Sequence, residues 1–194
     1  MDIAALPTVI SRADLAELGL SKHQLYAMAH AGQLEQIAPG IYVRPGELDD
    51  TTASWAAIGL RKPDATICLL SALSLHDLTD EIPRETDIAL PRGERTLSVR
   101  FAPIHWHSFD RATFGLGRTQ HRVTAEGLTI GLYSPERTII DIFRLRHEIG
   151  SDIANDALKR WLRRRGNTPA ALLELARSFP HALPALRSAL EILL

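Results

Sequence analysis

The sequence predicts an α+β protein with a small N-terminal head, a mixed α/β body and a helical C-terminus. Three observations indicate this order. Residues 11–43 hold two helix-start signals followed by a Pro-Gly turn, and residues 65–133 contain several short β-branched runs separated by turn residues. Residues 134–194 repeat helix starts in which proline follows serine or threonine. With 194 residues, of which 45% are hydrophobic and 23% charged, the chain is long enough for one large domain or two small ones.

The head begins with two segments whose starts share one signal. Ser11 precedes Asp14, and Ser21 precedes Gln24, at the three-residue spacing of a capping box. A hairpin follows around residues 38–40, whose Pro and Gly suit a type II turn. Helix, short turn, helix and hairpin is the order of a winged helix-turn-helix domain. In helix-turn-helix proteins the second helix enters the major groove of DNA with its N-terminal residues on the bases.

The remaining elements follow from periodicity, β-branched content and turn residues. A boundary after Pro45-Gly46 divides the chain into a winged helix-turn-helix domain, residues 1–46, and an α+β body, residues 47–194. The sheet of the body is predicted in about residues 65–133, and its helices in about residues 134–194. The predicted elements are a partial helix within residues 1–10, helices starting at Ser11 and Ser21, strands 34–37 and 41–43, a helix capped by Thr51 or Thr52 and ending near Leu60, strand 65–70, helix 71–78, strands 86–90, 97–101, 120–124 and 128–132, and helices 134–146, 151–165, 170–178 and 185–194.

Composition excludes several classes of protein. The single Cys68 excludes an internal disulfide framework and a cysteine-based zinc cluster, and its apolar neighbours indicate a buried thiol. His76 is predicted to be a buried, hydrogen-bonded residue that joins a helix to the sheet. No apolar run is long enough to cross a bilayer, and the N-terminus carries an acid where a signal peptide has positive charge. We therefore expect a cytoplasmic protein without a membrane segment.

The charge of the chain is unevenly distributed. The net charge is −1 overall, and residues 1–46 carry three basic against four acidic side chains. Residues 134–194 carry ten basic against seven acidic side chains. A nucleic-acid-binding protein normally presents a basic face, so the head alone predicts weak non-specific DNA binding. Either a dimer doubles the phosphate contacts, or the basic C-terminal segment supplies them.

Three blocks of sequence stand in one order at fitting distances. They run from Gly32-Gln33-Leu34 to Gly40-Ile41-Tyr42, from Cys68 to His76, and from Ser134 to Asp141. Together they resemble the AbiEi antitoxin family of type IV, abortive-infection toxin–antitoxin systems, and the resemblance covers nearly the whole chain. It implies a transcriptional regulator whose winged helix-turn-helix head binds inverted repeats in the promoter of its own operon. It also implies a body that opposes a nucleotidyltransferase-like toxin without forming a stable complex with it. Because the family belongs to abortive-infection systems, the resemblance further implies a role in phage defence.

The second helix of the head has a predicted core face and a predicted DNA face. Lys22 suits a phosphate or guanine, and His23 and Tyr26 suit base edges or phosphates. Gln24 could contact adenine, although its capping role competes. Symmetric operators need two heads, so a homodimer or paired monomers are implied. The alternative is a solvated helix face. The residues predicted to contact DNA are Arg12, Ser21, Lys22, His23, Gln24, Tyr26, Gln36 and Arg44.

A basic cluster lies near the end of the predicted helix 151–165. At 3.6 residues per turn its members share one strip opposite Trp161 and Leu162. They form either a second surface for phosphate, toxin or RNA, or a solvated face with i to i+4 partners such as Asp156. The members of this cluster are Lys159, Arg160, Arg163 and Arg164.

Metal and catalytic sites find weaker support in the sequence. His105 and His107 alternate, so in a strand they would face one side, and His121 could be a third ligand. No carboxylate follows them at close ligand spacing, so the sequence predicts no metal and no cofactor. Asp87 with Glu94 resembles a metal-nuclease pair but lacks the usual lysine, and we expect no enzyme. The alternative function is a protein-interaction module that opposes a toxin without binding DNA.

Overall fold

The computed structural model describes residues 3–194, and these fall into two compact units. The first unit comprises the residues up to Ala65 together with Thr96–Ile104 and Gln120–Ile130. The second unit comprises Thr66–Arg95, His105–Thr119 and Gly131–Leu194. The first unit therefore extends beyond the predicted head of residues 1–46, because later segments pack against its core. Within residues 3–194, no helix is both long and apolar enough to cross a membrane.

The first unit contains a three-stranded antiparallel sheet with the strand order β1-β3-β2. One core cluster joins Ile10, Leu25 and Tyr42, all nearly inaccessible to solvent. In a second cluster, the hairpin residues Ile37 and Ile41 pack against alanines of the helix Asp50–Arg61. The elements are a 3-10 helix Ile3–Ala5, strand β1 Val9–Ser11, helix α1 Lys22–His30, strands β2 Glu35–Ala38 and β3 Ile41–Val43, and helix α2 Asp50–Arg61.

Residues 12–19 form successive turns, so the prediction of a first helix starting at Ser11 is wrong. The predicted capping contacts do form: the Ser11 amide donates to Asp14 Oδ2 over 2.7 Å, and the Ala13 amide donates to Ser11 Oγ over 3.2 Å. However, Ser11 is also the last residue of β1, where it pairs with Ile41. The chain stays extended there, because the next amide, that of Arg12, donates to the Gly40 carbonyl. The partial helix predicted within residues 1–10 is likewise replaced, among residues 3–10, by the 3-10 helix and the start of β1.

A five-stranded sheet has the order β6-β5-β4-β8-β7. Strand β4 pairs antiparallel with β5 and parallel with β8. His76 lies at the end of a helix, and its Nε2 lies 2.7 Å from the Tyr133 carbonyl oxygen, so the predicted hydrogen bond between helix and sheet forms. The ring is half-buried, whereas the sequence predicts a buried one. The elements are β4 Thr66–Ile67, α3 Leu69–Leu75, β5 Thr86–Pro91, β6 Ile104–Phe109, α4 Arg111–Phe114, β7 Arg118–Arg122 and β8 Thr129–Tyr133.

The predicted strand 97–101 is wrong, and the strand lies at Ile104–Phe109 instead. Val99 and Phe101 are apolar because they pack against the core cluster beneath the hairpin, although their backbone is irregular. The predicted cap of α2 is also wrong by a few residues. Asp49 Oδ1 accepts the amides of Thr51 and Thr52 at 3.0 Å each. Hydrogen bonds from the Thr52 hydroxyl and these amides lower the pKa of Asp49.

The C-terminal region is helical and holds the largest core cluster. Ser134 and Thr168 each cap a helix that begins with proline, as the sequence predicts. Trp161 and Phe179 are almost completely buried in the cluster. The predicted α+β class with a helical C-terminus is thereby confirmed. The helices are α5 Pro135–Arg144, α6 Arg146–Ile149, α7 Ser151–Leu162, α8 Pro169–Ala176 and α9 Leu183–Leu193.

Candidate nucleic-acid interface

Helix α1 presents its first turn to solvent and buries one of its residues completely. Leu25 is fully buried, whereas Lys22, His23 and Tyr26 are exposed. The helix starts at a complete capping box. Ser21 Oγ accepts a hydrogen bond from the Gln24 amide over 3.2 Å, and the Gln24 side-chain oxygen accepts one from the Ser21 amide over 2.8 Å. This start is rigid and carries the partial positive charge of a helix N-terminus, which favours an anionic ligand.

Arg12 lies between the hairpin turn and helix α1. Its guanidinium donates to the Tyr26 hydroxyl and stands 5.6 Å from the centre of the Tyr26 ring. Its aliphatic stem passes so close to Gly40 that a Cβ there would lie 3.1 Å from Arg12 Cδ. Gly40 also has a φ of +75°, which favours glycine at the turn. The turn therefore holds Arg12 in place, with its cationic group beside the exposed face of α1.

An open groove of about 610 Å³ runs along this part of the first unit. Arg12, Tyr26, His30 and Gln36 line it from the turn segment, helix α1 and strand β2. Glu35 contributes one carboxylate to the same groove. Three of the predicted DNA contacts therefore share one concave surface. They come from separate parts of the chain, and the three-stranded sheet with its turns brings them together.

Two other predicted contacts have partners within the first unit. The Gln24 side-chain oxygen is held in the capping box, which leaves its amide NH₂ for another partner. Arg44 is half-buried, and its guanidinium lies 3.4 Å from a Glu47 carboxylate oxygen. Arg44 does not line the groove, whereas its neighbour Pro45 does.

The basic cluster at the end of α7 is partly engaged within the second unit. The Arg160 guanidinium donates a hydrogen bond to the Asp156 carboxylate over 2.7 Å and donates to both carboxylate oxygens of Asp80. These contacts raise the pKa of Arg160 and lower the pKa of Asp80, because each ion stabilises the charged form of the other. Arg164 donates to the backbone carbonyls of His76 and Asp77. Lys159 and Arg163 remain exposed.

The three histidines weighed as metal ligands separate into two places. His105 and His107 do share one side of strand β6, and a carboxylate from the neighbouring strand, Asp87, joins them. His121 instead meets the Trp55 ring edge to face at 5.5 Å between ring centres. Spacing along the chain does not reveal Asp87 as the third member, because strand pairing between β5 and β6 decides which residues are neighbours.

Comparison with known proteins bears on the N-terminal segment most directly. Residues 4–45 match the family model described as "Transcriptional regulator, AbiEi antitoxin". The matched residues contain β1, α1 and the hairpin and make up less than a quarter of the chain. The N-terminal segment is therefore similar to a family of transcriptional regulators. This match confirms the resemblance to the AbiEi family over residues 4–45, whereas the sequence indicates it over nearly the whole chain. No curated protein matches the chain.

The fold also resembles that of a solved structure. The crystal structure of the RV2827C protein from Mycobacterium tuberculosis superposes with a TM-score of 0.55 over 97% of this chain and 78% of that chain. The two sequences are 16% identical. The likeness therefore concerns the fold.

Proposed function

We propose that the protein is a DNA-binding transcriptional autoregulator that acts as the antitoxin of a toxin–antitoxin operon in the cytoplasm. The observation that carries the proposal is the rigidly capped first turn of α1, exposed at Lys22 and His23, beside a groove that contains Arg12, Tyr26 and Gln36. In a winged helix-turn-helix, the N-terminal residues of the second helix contact bases while flanking residues contact phosphates. We assign the role of that second helix to α1, with the turns of residues 12–19 in the place of the first helix.

The first turn of α1 supplies the contacts that would select a sequence. Lys22 donates to a phosphate or to guanine, His23 to base edges or phosphates, and the Gln24 amide NH₂ to a base acceptor. Arg12 and Tyr26 form a hydrogen-bonded pair that offers guanidinium donors to the flanking backbone. With few cations in the head, a homodimer on an inverted repeat doubles these contacts. Lys159 and Arg163 stay predicted contacts for phosphate or for the toxin.

The test is a titration of the full chain against duplex DNA from upstream of its own gene, followed by fluorescence anisotropy at several salt concentrations. We expect the logarithm of the association constant to fall linearly with the logarithm of the salt concentration, with a slope of about −0.9 per neutralised phosphate. Lys22→Ala with Tyr26→Ala should weaken binding by about tenfold or more, since each lost base contact removes roughly 1–3 kcal/mol. Arg187→Ala removes one exposed cation from α9 and serves as the matched control.

A second candidate function is a protein-interaction module that opposes a toxin without binding DNA. The three basic against four acidic side chains of residues 1–46 favour this candidate, because phosphate binding depends on the number of cations. The same titration separates the two functions. Absence of binding at low salt would contradict the DNA proposal and support the second candidate. Equal binding by the Lys22/Tyr26 variant and the wild type would exclude α1 as the DNA-contacting helix.

A further inference from the structure

Two imidazoles and one carboxylate converge on the outer pair of strands of the five-stranded sheet. Asp87 belongs to β5, and His105 and His107 belong to β6, which is the edge strand next to it. His107 Nε2 lies 2.8 Å from Asp87 Oδ1, and His105 Nδ1 lies 3.4 Å from the same oxygen. One nitrogen from each histidine and one carboxylate oxygen lie within 4.8 Å of one another.

The spacing suits a tetrahedral metal ion. Bonds of about 2.0–2.1 Å from zinc to nitrogen or oxygen place neighbouring ligand atoms roughly 3.3 Å apart in a tetrahedron. The two observed distances from Asp87 Oδ1, 2.8 and 3.4 Å, lie on either side of that separation. The third separation, between the two imidazole nitrogens, is at most 4.8 Å, so side-chain rotations that bring these nitrogens closer would place all three atoms around one ion.

The backbone that carries the carboxylate is fixed on both sides. The Asp87 amide donates to Ser71 Oγ over 2.9 Å, and the Asp87 carbonyl accepts the Cys68 amide over 3.0 Å. The side chains of Asp87 and His107 are 14% and 15% exposed, so both are held in a partly dehydrated site. Ligands on rigid strands lose little freedom when a metal binds, which favours affinity.

The electrostatics of Asp87 also favour a cation. Among the residues that the structure describes, its ion-pair partners are the two histidines, and no arginine or lysine pairs with it. A half-buried carboxylate that faces only imidazoles accepts hydrogen bonds from their N–H groups, and it can bind a metal cation without competition from an arginine or lysine. His105 is 61% exposed at its side chain, which leaves one side of the cluster open to solvent.

We propose that Asp87, His105 and His107 form a binding site for a divalent transition metal, Zn²⁺ first among them. Imidazole nitrogens and a carboxylate are ligands that Zn²⁺ accepts, whereas Mg²⁺ and Ca²⁺ prefer oxygen alone. The three protein ligands leave the fourth tetrahedral position, on the exposed side of His105, to a water molecule. The site is independent of the proposed DNA function, because its residues belong to the second unit and the DNA contacts of α1 to the first.

The test uses the full chain, freed of metal with a chelator and titrated with Zn²⁺ in competition with a fluorescent zinc indicator. We expect one equivalent to bind and to raise the melting temperature. His105→Gln, His107→Gln and Asp87→Asn should each weaken binding by on the order of tenfold or more, since each removes one of only three ligands. His181→Gln, at an exposed histidine outside the cluster, should bind Zn²⁺ like the wild type.

Folding is checked by circular dichroism and thermal melts without metal. His105→Gln is the decisive variant, because that exposed side chain contributes little to the core. Co²⁺ provides a second readout, with the visible absorption of a tetrahedral ion expected in the wild type and weakened in His105→Gln. Failure of the wild type to bind Zn²⁺, or equal affinity in the wild type and all three ligand variants, would overturn the proposal.

Discussion

Helices α1 and α5 both begin at a capping serine, yet they occupy opposite environments. Helix α1 buries only Leu25, whereas α5 buries seven consecutive residues, including Arg137 and Asp141. A serine N-cap therefore starts both an exposed helix, α1, and a helix that forms part of the core, α5. Helix α1 packs on the core through Leu25 and the partly buried Met28 and Ala29, and its exposed face remains available to a ligand. Helix α5 depends on packing and on an internal ion pair.

The ion pair on α5 is enclosed on every side. Arg137 Nε bonds Asp141 Oδ2 over 2.8 Å, and Arg137 Nη1 donates to the carbonyls of Thr113 and Leu116 over 2.7 Å each. The guanidinium also stands 4.1 Å from the centre of the Tyr133 ring. Burial raises the pKa of Asp141, while the nearby Arg137 and Arg144 oppose that change. The i to i+4 spacing of Arg137 and Asp141 places them on one face of the helix, but it does not reveal that this face is buried.

The largest effect is expected from Arg137→Met. Removing the cation leaves a buried carboxylate without its main partner, which typically costs about 3–5 kcal/mol of unfolding free energy. Urea unfolding followed by circular dichroism measures the loss. The double variant Arg137→Met with Asp141→Leu should recover part of it, because both charges are then absent. If the single variant were as stable as the wild type, the distinction between a core α5 and a displayed α1 would fail.

A smaller effect is expected from Ser21→Ala at the start of α1. The substitution removes the hydroxyl that accepts the Gln24 amide, and losing such a cap costs about 1 kcal/mol. It should also weaken DNA binding, because the first turn frays and the contacts of Lys22 and His23 are no longer held. Urea unfolding and anisotropy on the same samples check both. Ser21→Thr keeps a capping hydroxyl and serves as the control, and equal losses in both variants would show that the cap is not the cause.

The smallest effect concerns the hydrogen bonds between Thr8 and Glu126 within the first unit. Glu126 Oε1 accepts the Thr8 hydroxyl over 2.7 Å and the Thr8 amide over 3.0 Å, and these bonds lower the Glu126 pKa from 4.5 to about 2. A lowered pKa means that the ionised form stabilises the fold above pH 4.5, and this contribution is lost as the pH falls towards 2. Because Glu126 is exposed, solvent screening limits the contribution to less than about 1 kcal/mol.

Glu126→Gln should therefore be slightly less stable than the wild type at pH 7, and the difference should shrink below pH 4.5 and vanish as the pH falls through about 2. Urea midpoints measured from pH 7 down to pH 2 follow the difference. Glu81→Gln, at another exposed glutamate, is the control and should not converge with the wild type in this way. A constant difference between Glu126→Gln and the wild type across the range would mean that the bonds from Thr8 do not depend on the charge.

Local signals were predicted well because their hydrogen bonds close within a few residues. The capping box of Ser21 and Gln24, and the proline-led helices after Ser134 and Thr168, form where the sequence predicts them. The same signal at Ser11 forms its bonds without a helix, because β1 extends through that residue and pairs with β3. Strand pairing is a contact between distant residues, so a local pattern cannot reveal it.

Local patterns in the sequence are enough to predict the α+β class, the helical C-terminus and the face of α1 that carries Lys22, His23 and Tyr26. Periodicity and caps act over one or two turns, and they are written in neighbouring residues. In contrast, the contact of Arg12 with Tyr26 and the grouping of Asp87 with two histidines arise only when the chain folds. These groupings depend on which strands and turns become neighbours. That choice is made by burial of the whole core, and no short stretch of the chain contains it.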